Sequence, residues 1–227
     1  MSIHITAGSM SDYAALARLH YRAGPPATSD RILRAQHGQA LAGVLIVSRP
    51  VLNARWRSVL WPGVFEQGDA RQRAARINRE LRCISRVIVD SRFRGLGMAT
   101  MLVRAYLDDP LTLRTEAVAA MGRFSGFFRS AGMREIMLPP SRRDVALRRV
   151  LRRARLRPWQ LVDPASVLSL RTPQRAMVHA ALRRWASDAG ATRRLAGADV
   201  ELLIAAAARS VASPLPAVAY GFDSRHQ

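Results

Sequence analysis

The sequence contains no lysine, so all 36 of its basic residues are arginines, against 16 aspartate and glutamate residues and a formal net charge of +20. Two explanations of this excess stay open: the codon bias of a GC-rich genome, and a partner that is a polyanion. A guanidinium group binds phosphate through two parallel hydrogen bonds and stacks on bases, so DNA or RNA is chemically suited as that partner. Charge alone does not distinguish DNA, RNA and ribosome.

Cysteine is almost absent as well. The single Cys83 excludes an internal disulfide and a metal site built from several cysteines, so we expect no metal. The first residues carry neither the basic segment nor the apolar segment of a secretion signal, and the longest apolar run, at 200–212, is too short to cross a bilayer. We therefore expect no membrane association and a cytoplasmic location.

Apolar residues, in contrast, make up 49% of the 227 residues, which is enough for one core or for a core domain with an appendage. Up to Pro140, segments with strand-like apolar runs follow segments with helical spacing. This alternation predicts an α/β fold of the α+β type over residues 1–138, with a mixed sheet and crossover helices. Residues 50–80 interrupt the pattern with arginines and two tryptophans. That insertion is either a substrate lid or a surface excursion.

After Pro139 and Pro140 the composition changes. Helix starts at Ser141, Thr172 and Asp199 predict a helical appendage over residues 141–212, followed by an irregular tail at 213–227. Residues 141–200 contain fourteen arginines and four acidic residues. The first helix of the appendage is a candidate phosphate-facing ridge for DNA or RNA, or else a solvated face or a surface for an acidic partner subunit. The arginines concerned are Arg148, Arg149, Arg152 and Arg153.

The stretch at 84–99, ISRVIVDSRFRGLGMA, carries the clearest chemical signal. An apolar strand over Arg82–Val89 ends at a glycine pair flanked by arginines, and a helix over Leu96–Leu107 follows. Backbone N–H groups at a helix start are unpaired and partly positive, so they bind phosphate, and glycine lets the backbone approach the anion. The pattern R-x-x-G-x-[GA] fits in two registers, one from Arg92 through Gly95 to Gly97 and one from Arg94 through Gly97 to Ala99.

This loop is neither a Walker loop, which needs a lysine followed by serine or threonine, nor a complete dinucleotide-binding motif, which has a third glycine. A glycine-containing turn between a strand and a helix also has purely structural uses. The other interpretation, which the residues alone leave equally open, is a site for the diphosphate of a nucleotide-like cofactor.

The order of the motifs resembles motifs A and B of the GNAT superfamily of acyl-CoA-dependent N-acyltransferases. The strand ISRVIV, the loop RFRGLGMA, a helix, the strand TEAVAAM and then FSGFFRSAGM carry this resemblance, which covers roughly residues 1–138. The sequence is similar in particular to acetyltransferase domains that are fused to ABC-type ATPases. A more distant likeness, in LHYRAGPP and the strand before the loop, is to phage Mom-type DNA-modification proteins.

The resemblance implies acetyl-CoA, or another acyl-CoA, as co-substrate. It places the pantetheine arm on the backbone of the strand and the pyrophosphate on the loop, and it implies that the sheet parts just after Val89, where the thioester would face an amine. The cofactor-binding residues implied in this way are Val87, Ile88, Val89, Arg92, Arg94, Gly95, Leu96, Gly97, Met98 and Ala99.

Acyl transfer to an amine needs a base for the amine proton, a donor for the developing oxyanion and an acid for the leaving thiolate. Glu80 and Glu116 are the candidate bases. Many members of the superfamily use a tyrosine acid at the position of Phe128, which has no proton to donate. Tyr106 or Tyr21 would then substitute, or the thiolate leaves without an acid, or the domain does not catalyse.

Three functions therefore stay open. The leading one is an N-acyltransferase acting on a nucleic acid or on a protein bound to one. The second is a non-catalytic nucleic-acid-binding protein on a degenerate GNAT scaffold, and the third is a small-molecule N-acetyltransferase whose arginines reflect codon bias.

Overall fold

A computed structural model describes residues 2–20, 24–119, 122–124, 126–212 and 217–226. The chain divides into two compact units. The first combines residues 1–138 with residues 217–227, and the second comprises residues 139–216.

The first unit is built on a mixed seven-stranded sheet with the strand order β1-β2-β3-β4-β5-β7-β6. Neighbouring strands are antiparallel except β4 and β5, which are parallel. The mixed α/β class expected from the sequence is thereby confirmed. The strands are β1 (Ile3–Ala7), β2 (Arg31–His37), β3 (Ala40–Ser48), β4 (Leu81–Val89), β5 (Arg114–Ala119), β6 (Arg134–Met137) and β7 (Val218–Asp223).

Helices cover both faces of this sheet, which explains why β3 is apolar almost throughout. One face packs against α4 around Leu102 and Tyr106, and the other packs against α1 around Tyr13 and Leu16. The helices of the first unit are α1 (Met10–Leu16), α2 (Arg57–Leu60), α3 (Ala70–Glu80), α4 (Met98–Leu107) and α5 (Phe127–Ser130).

The insertion at 50–80 contributes α2 and α3 to the first unit. Asp69 begins α3: its Oδ1 accepts a hydrogen bond from Gln72 N at 2.8 Å, and its backbone N–H donates to Gln72 Oε1 at 2.9 Å. Apolar residues of both helices and of the segment between them share a buried cluster with the first residue of β4: Leu60, Trp61, Phe65, Ile77 and Leu81. These contacts attach the insertion to the sheet.

The prediction of an irregular tail at 213–227 is wrong for residues 218–223. They form β7, which is hydrogen-bonded to β5 on one side and to β6 on the other. Val218, Ala219 and Tyr220 are fully buried, so the strand completes the core of the first unit. A Cβ on Gly221 would come within 2.8 Å of Leu60 Cδ2, and this close approach explains a glycine inside the strand.

The second unit is helical and has its own core, with Leu151, Leu182 and Ile204 among the fully buried residues. Asp144 links three of its helices, because its Oδ1 accepts from Trp185 Nε1 at 2.7 Å and from Ser210 Oγ at 3.0 Å. The helices are α6 (Arg142–Arg153), α7 (Ala165–Leu168), α8 (Thr172–Ser187), α9 (Gly190–Arg193) and α10 (Val200–Val211). Within the described residues, no helix is both long enough and apolar enough to cross a membrane.

Candidate functional site

The parallel strands β4 and β5 part within the sheet. They pair from Leu81 opposite Arg114 to Ile84 opposite Ala117, whereas β4 continues to Val89. The expectation that the sheet parts just after Val89 is therefore wrong, because the gap begins directly after Ile84. A bulge accompanies the change: on the other edge of β4, Ser85 is the extra residue in the pairing with β3. Bulges bend a strand and commonly end its pairing.

A cavity of about 780 Å³ lies in the gap between the two strands. Its volume is within the range of roughly 300–1,000 Å³ that is usual for small-molecule sites. Leu19 and His20 line it from the face of the sheet that packs on α1, and Phe127 and Phe128 line it from the face that packs on α4. The cavity therefore takes its lining from both faces of the sheet, which would allow two ligands to meet in it.

Most of the predicted cofactor residues come together around this cavity. Its lining includes Val87, Ile88, Val89, Arg94, Gly95, Gly97, Met98 and Ala99, whereas Arg92 and Leu96 do not belong to it. The strand segment supplies one wall, and the glycine loop supplies the part next to the start of α4.

The two loop glycines adopt backbone conformations that other residues avoid. Gly95 has φ 84° and Gly97 has φ 75°, and Gly97 is the residue that precedes the first turn of α4. A Cβ built on either glycine would meet no protein atom within 4 Å. The glycines are therefore required by the left-handed conformation, and the space beside them is open.

Unpaired backbone amides cluster at this loop. Met101 is the first residue of α4 whose N–H bonds back, to Gly97 O at 3.0 Å. Within the described part of the chain, the amides of residues 95–100 have no protein acceptor. At the start of a ten-residue helix these groups also carry the positive end of the helix dipole. The loop is thus suited to an anion such as a diphosphate.

The two arginines of the loop differ in what they contact. Arg92 Nη2 lies 2.8 Å from Asp90 Oδ2, and the hydrogen bond from Arg92 lowers the pKa of Asp90 to about 2. Arg94 is exposed, lines the cavity and forms no ion pair with any described residue. Of the two registers of the motif, the one from Arg94 through Gly97 to Ala99 agrees with this geometry.

The two candidate bases lie outside the cavity lining. Glu80 ends α3, and its carboxylate pairs with Arg79 at 2.9 Å and with Arg114 at 3.1 Å. Glu116 is only 1% exposed, and both of its carboxylate oxygens accept hydrogen bonds from Arg57, at 2.7 and 2.9 Å. Trp56 Nε1 donates to the same carboxylate at 3.0 Å. Both carboxylates are engaged in structural pairs.

The candidate acid Tyr106 does not line the cavity either. Tyr106 is fully buried on the inner face of α4, where burial raises the pKa of its hydroxyl. Tyr21 lies outside the described residues. Phe128 does line the cavity, and its ring packs on Tyr220 with 4.8 Å between centroids. The Tyr220 hydroxyl donates to Gly122 O at 3.3 Å, and burial raises its pKa to about 12.

Five polar residues of the lining were not predicted as site residues: His20, Ser85, Arg86, Thr100 and Ser130. His20 follows the 3₁₀ turn Ala17–Leu19 after α1, and nothing in the local sequence brings it to β4. The Ser85 hydroxyl lies 2.6 Å from the Ser48 hydroxyl of the neighbouring strand. Arg86 carries the one signal that could have been noticed, since it places a charge inside the apolar run ISRVIV.

The arginines predicted to bind nucleic acid lie on α6 in the second unit. Arg149, Arg152 and Arg153 are exposed and share one helix face, opposite the buried Leu147 and Leu151. None of these three arginines forms an ion pair with a described residue. Arg148 is half-buried and is not part of this exposed face.

A scan against protein-family models finds no match to this chain, and a search of curated proteins finds no significant match. The fold and the cavity define a mixed α/β protein with a ligand-sized gap between parted parallel strands.

Proposed function

We propose that the first unit is an acyl-CoA-dependent N-acyltransferase of the GNAT superfamily, with acetyl-CoA or another acyl-CoA as co-substrate. One observation carries the proposal: the cavity between β4 and β5 adjoins a loop whose amides, at residues 95–100, have no acceptor among the described residues. A strand, an arginine–glycine loop and a helix start are thereby combined with a gap large enough for a pantetheine arm.

In this proposal the diphosphate binds to the loop amides and to Arg94, whose charge is not neutralised by a described carboxylate. The pantetheine arm lies along Val87, Ile88 and Val89, because that edge of β4 has no strand partner beyond Ile84 among the described residues. When bound, acyl-CoA supplies an acyl group that is activated as a thioester. The acceptor amine approaches from the face of the sheet where Leu19 and His20 lie.

The residues of the cavity suggest new roles in catalysis. His20 replaces Glu80 and Glu116 as our candidate base, because histidine is the side chain whose ordinary pKa lies closest to neutrality and because His20 lines the cavity. A backbone N–H at the Ser85 bulge is our candidate donor to the oxyanion, because a bulged residue is left out of the hydrogen bonds between the strands. With Phe128 in the lining, the proposal includes no tyrosine acid.

If the second unit takes part in binding the acceptor, the acceptor is a nucleic acid or a protein bound to one. The exposed face of Arg149, Arg152 and Arg153 supports that form. The same face, together with Phe128, favours a second candidate function: a nucleic-acid-binding protein that does not catalyse. A small-molecule N-acetyltransferase is the third candidate, and the buried Arg86 in the cavity lining favours it.

Calorimetric titration with acetyl-CoA tests the cofactor assignment. Gly97→Leu should weaken binding by roughly tenfold or more, because a side chain in the left-handed region moves the loop amides away from the diphosphate. Gly63→Leu is the matched control: Gly63 has φ 76° against 75° for Gly97, is equally free of neighbours within 4 Å, and does not line the cavity.

The control variant should bind acetyl-CoA as tightly as the wild type does. Its free energy of unfolding should fall by about as much as that of Gly97→Leu, about 1–2 kcal/mol. Equal affinity in the wild type and Gly97→Leu, or no binding by the wild type, contradicts the assignment. Release of coenzyme A in the presence of an amine, abolished by Gly97→Leu, eliminates the non-catalytic candidate.

A further inference from the structure

Arg86 is a charged residue inside the cavity wall. It lies on β4, is 7% exposed and belongs to the cavity lining. Ile88, two residues further along the strand, belongs to the same buried cluster as Leu16 of α1. Because side chains alternate along a strand, Arg86 points to the same face as Ile88, which is the face from which Leu19 and His20 line the cavity.

The charge of this arginine is not balanced by the described part of the protein. Arg86 Nη1 donates to Ser85 O at 2.8 Å, whereas Nε is buried and has no hydrogen-bond partner. No described carboxylate forms an ion pair with it. The other buried arginines differ: Arg57 pairs with Glu116, and Arg114 pairs with Glu80 and Asp223.

A buried cation without a counter-ion is unfavourable, so an anion that enters the cavity gains more from Arg86 than it would from an exposed arginine. The geometry of the guanidinium group narrows the choice of anion. With Nη1 directed to Ser85 O, the remaining edge carries Nε and Nη2. Two parallel N–H groups on one edge match the paired oxygens of a carboxylate or a phosphate.

We infer that the acceptor of the acyl group carries a carboxylate or phosphate, and that Arg86 binds this anionic group on the His20 side of the cavity. This inference rests on the proposed function. It assigns Arg86 the selection of anionic amines over neutral ones, and it assigns the cavity two anion sites. The diphosphate binds at the glycine loop, and the anionic group of the acceptor binds at Arg86.

The test compares Arg86→Gln with the wild type, using acetate and inorganic phosphate as probes at constant ionic strength. Arg71→Gln, which removes the same charge from an exposed position on α3, is the control. The wild type and the control should show a saturable rise of the melting temperature with at least one probe, and Arg86→Gln should lose that component. The probe that loses its effect identifies the carboxylate or the phosphate as the preferred group.

Paired substrates supply the second readout: glycine with glycinamide, and phosphoethanolamine with ethanolamine, each with acetyl-CoA. The anionic member of one pair should be preferred, and Arg86→Gln should reduce its kcat/KM by roughly 10- to 100-fold, the usual loss for a hydrogen bond to a charged group. Arg86→Lys, which keeps the charge without the fork, should restore part of the loss.

Acetyl-CoA affinity, measured on the same proteins, separates the two possible failures. Arg86→Gln should bind acetyl-CoA as tightly as the wild type does. If the wild type does not bind acetyl-CoA, the proposed function fails, whatever the result of the anion titrations. If acetyl-CoA binding is intact but the anion titrations of Arg86→Gln and the wild type coincide, the role of Arg86 is overturned and the proposed function stands.

Discussion

Single buried charges distinguish structural residues from candidate site residues in this protein. Glu116 has a partner for each carboxylate oxygen and lies outside the cavity, whereas Arg86 lies in the lining with its Nε unsatisfied. A buried ion pair whose hydrogen bonds are satisfied stabilises the fold. A buried charge without a counter-ion, when it lies in a cavity, is suited to bind a ligand of opposite charge. From the sequence, Glu116 was predicted as a site residue and Arg86 was not.

The Arg57–Glu116 pair yields a prediction on stability. Arg57→Met should lower the free energy of unfolding by about 3–5 kcal/mol, because it leaves the Glu116 carboxylate buried without its counter-ion. Denaturant titration of the single variant measures this loss. In the control, Arg57→Met combined with Glu116→Met, both charges are absent, and the loss should be smaller than in the single variant. A single variant with wild-type stability would contradict the structural role of this pair.

Sequence reasoning at the residue scale succeeded where the chemistry is local. The glycines at 95 and 97 form the predicted turn between strand and helix, and the helix begins at Met98, two residues after the predicted start at Leu96. It failed where the partner is remote: Arg57 and Glu116 are separated by 59 positions, and no local pattern links them. The same holds for His20, which reaches the cavity only through the packing of α1 on the sheet.

Among whole elements, β4 and β7 show the same contrast. An apolar run followed by an arginine–glycine loop predicts β4 and the start of α4 from one window of sequence. In the sequence, the whole second unit lies between β7 and the strands β5 and β6. The six residues of β7 also include a glycine, Gly221. A short strand of this kind is defined by its partners on both sides, so pattern reasoning treated it as tail.

The exposed arginine face of α6 is an element-scale feature with its own test. If Arg149, Arg152 and Arg153 contact phosphates, changing all three to glutamine should weaken DNA binding. It should also lower the slope of log affinity against log salt by about 0.9 for each lost contact, or about 2.7 in total. Affinity for a DNA duplex, measured over a series of salt concentrations, supplies both numbers.

Arg183→Gln, Arg184→Gln and Arg194→Gln together form the control, because they remove the same charge from exposed positions of the second unit. An equal change of slope in both triple variants would mean that net charge, and not the α6 face, determines binding. Gly97→Leu should leave this binding unchanged, since Gly97 belongs to the other unit.

For the molecule as a whole, the proposed function assigns one task to each of the two cores, in a chain with a net charge of +20. The first unit contains the cavity and the glycine loop, and the second contains the exposed arginine face. Acyl transfer and polyanion binding are therefore separable properties in this account. Composition predicts the second of them only as a class of partner, because charge is not specific for one polyanion.

Amide hydrogen exchange with and without acetyl-CoA tests the central claim most directly. In the free protein, the amides of residues 95–100 should exchange rapidly, because they have no acceptor among the described residues. At saturating acetyl-CoA, peptides covering these residues and the edge of β4 at 85–89 should slow by roughly tenfold or more, while peptides from α6 stay unchanged. Exchange at 95–100 that is unaffected by saturating acetyl-CoA would contradict the claim that this loop binds the diphosphate.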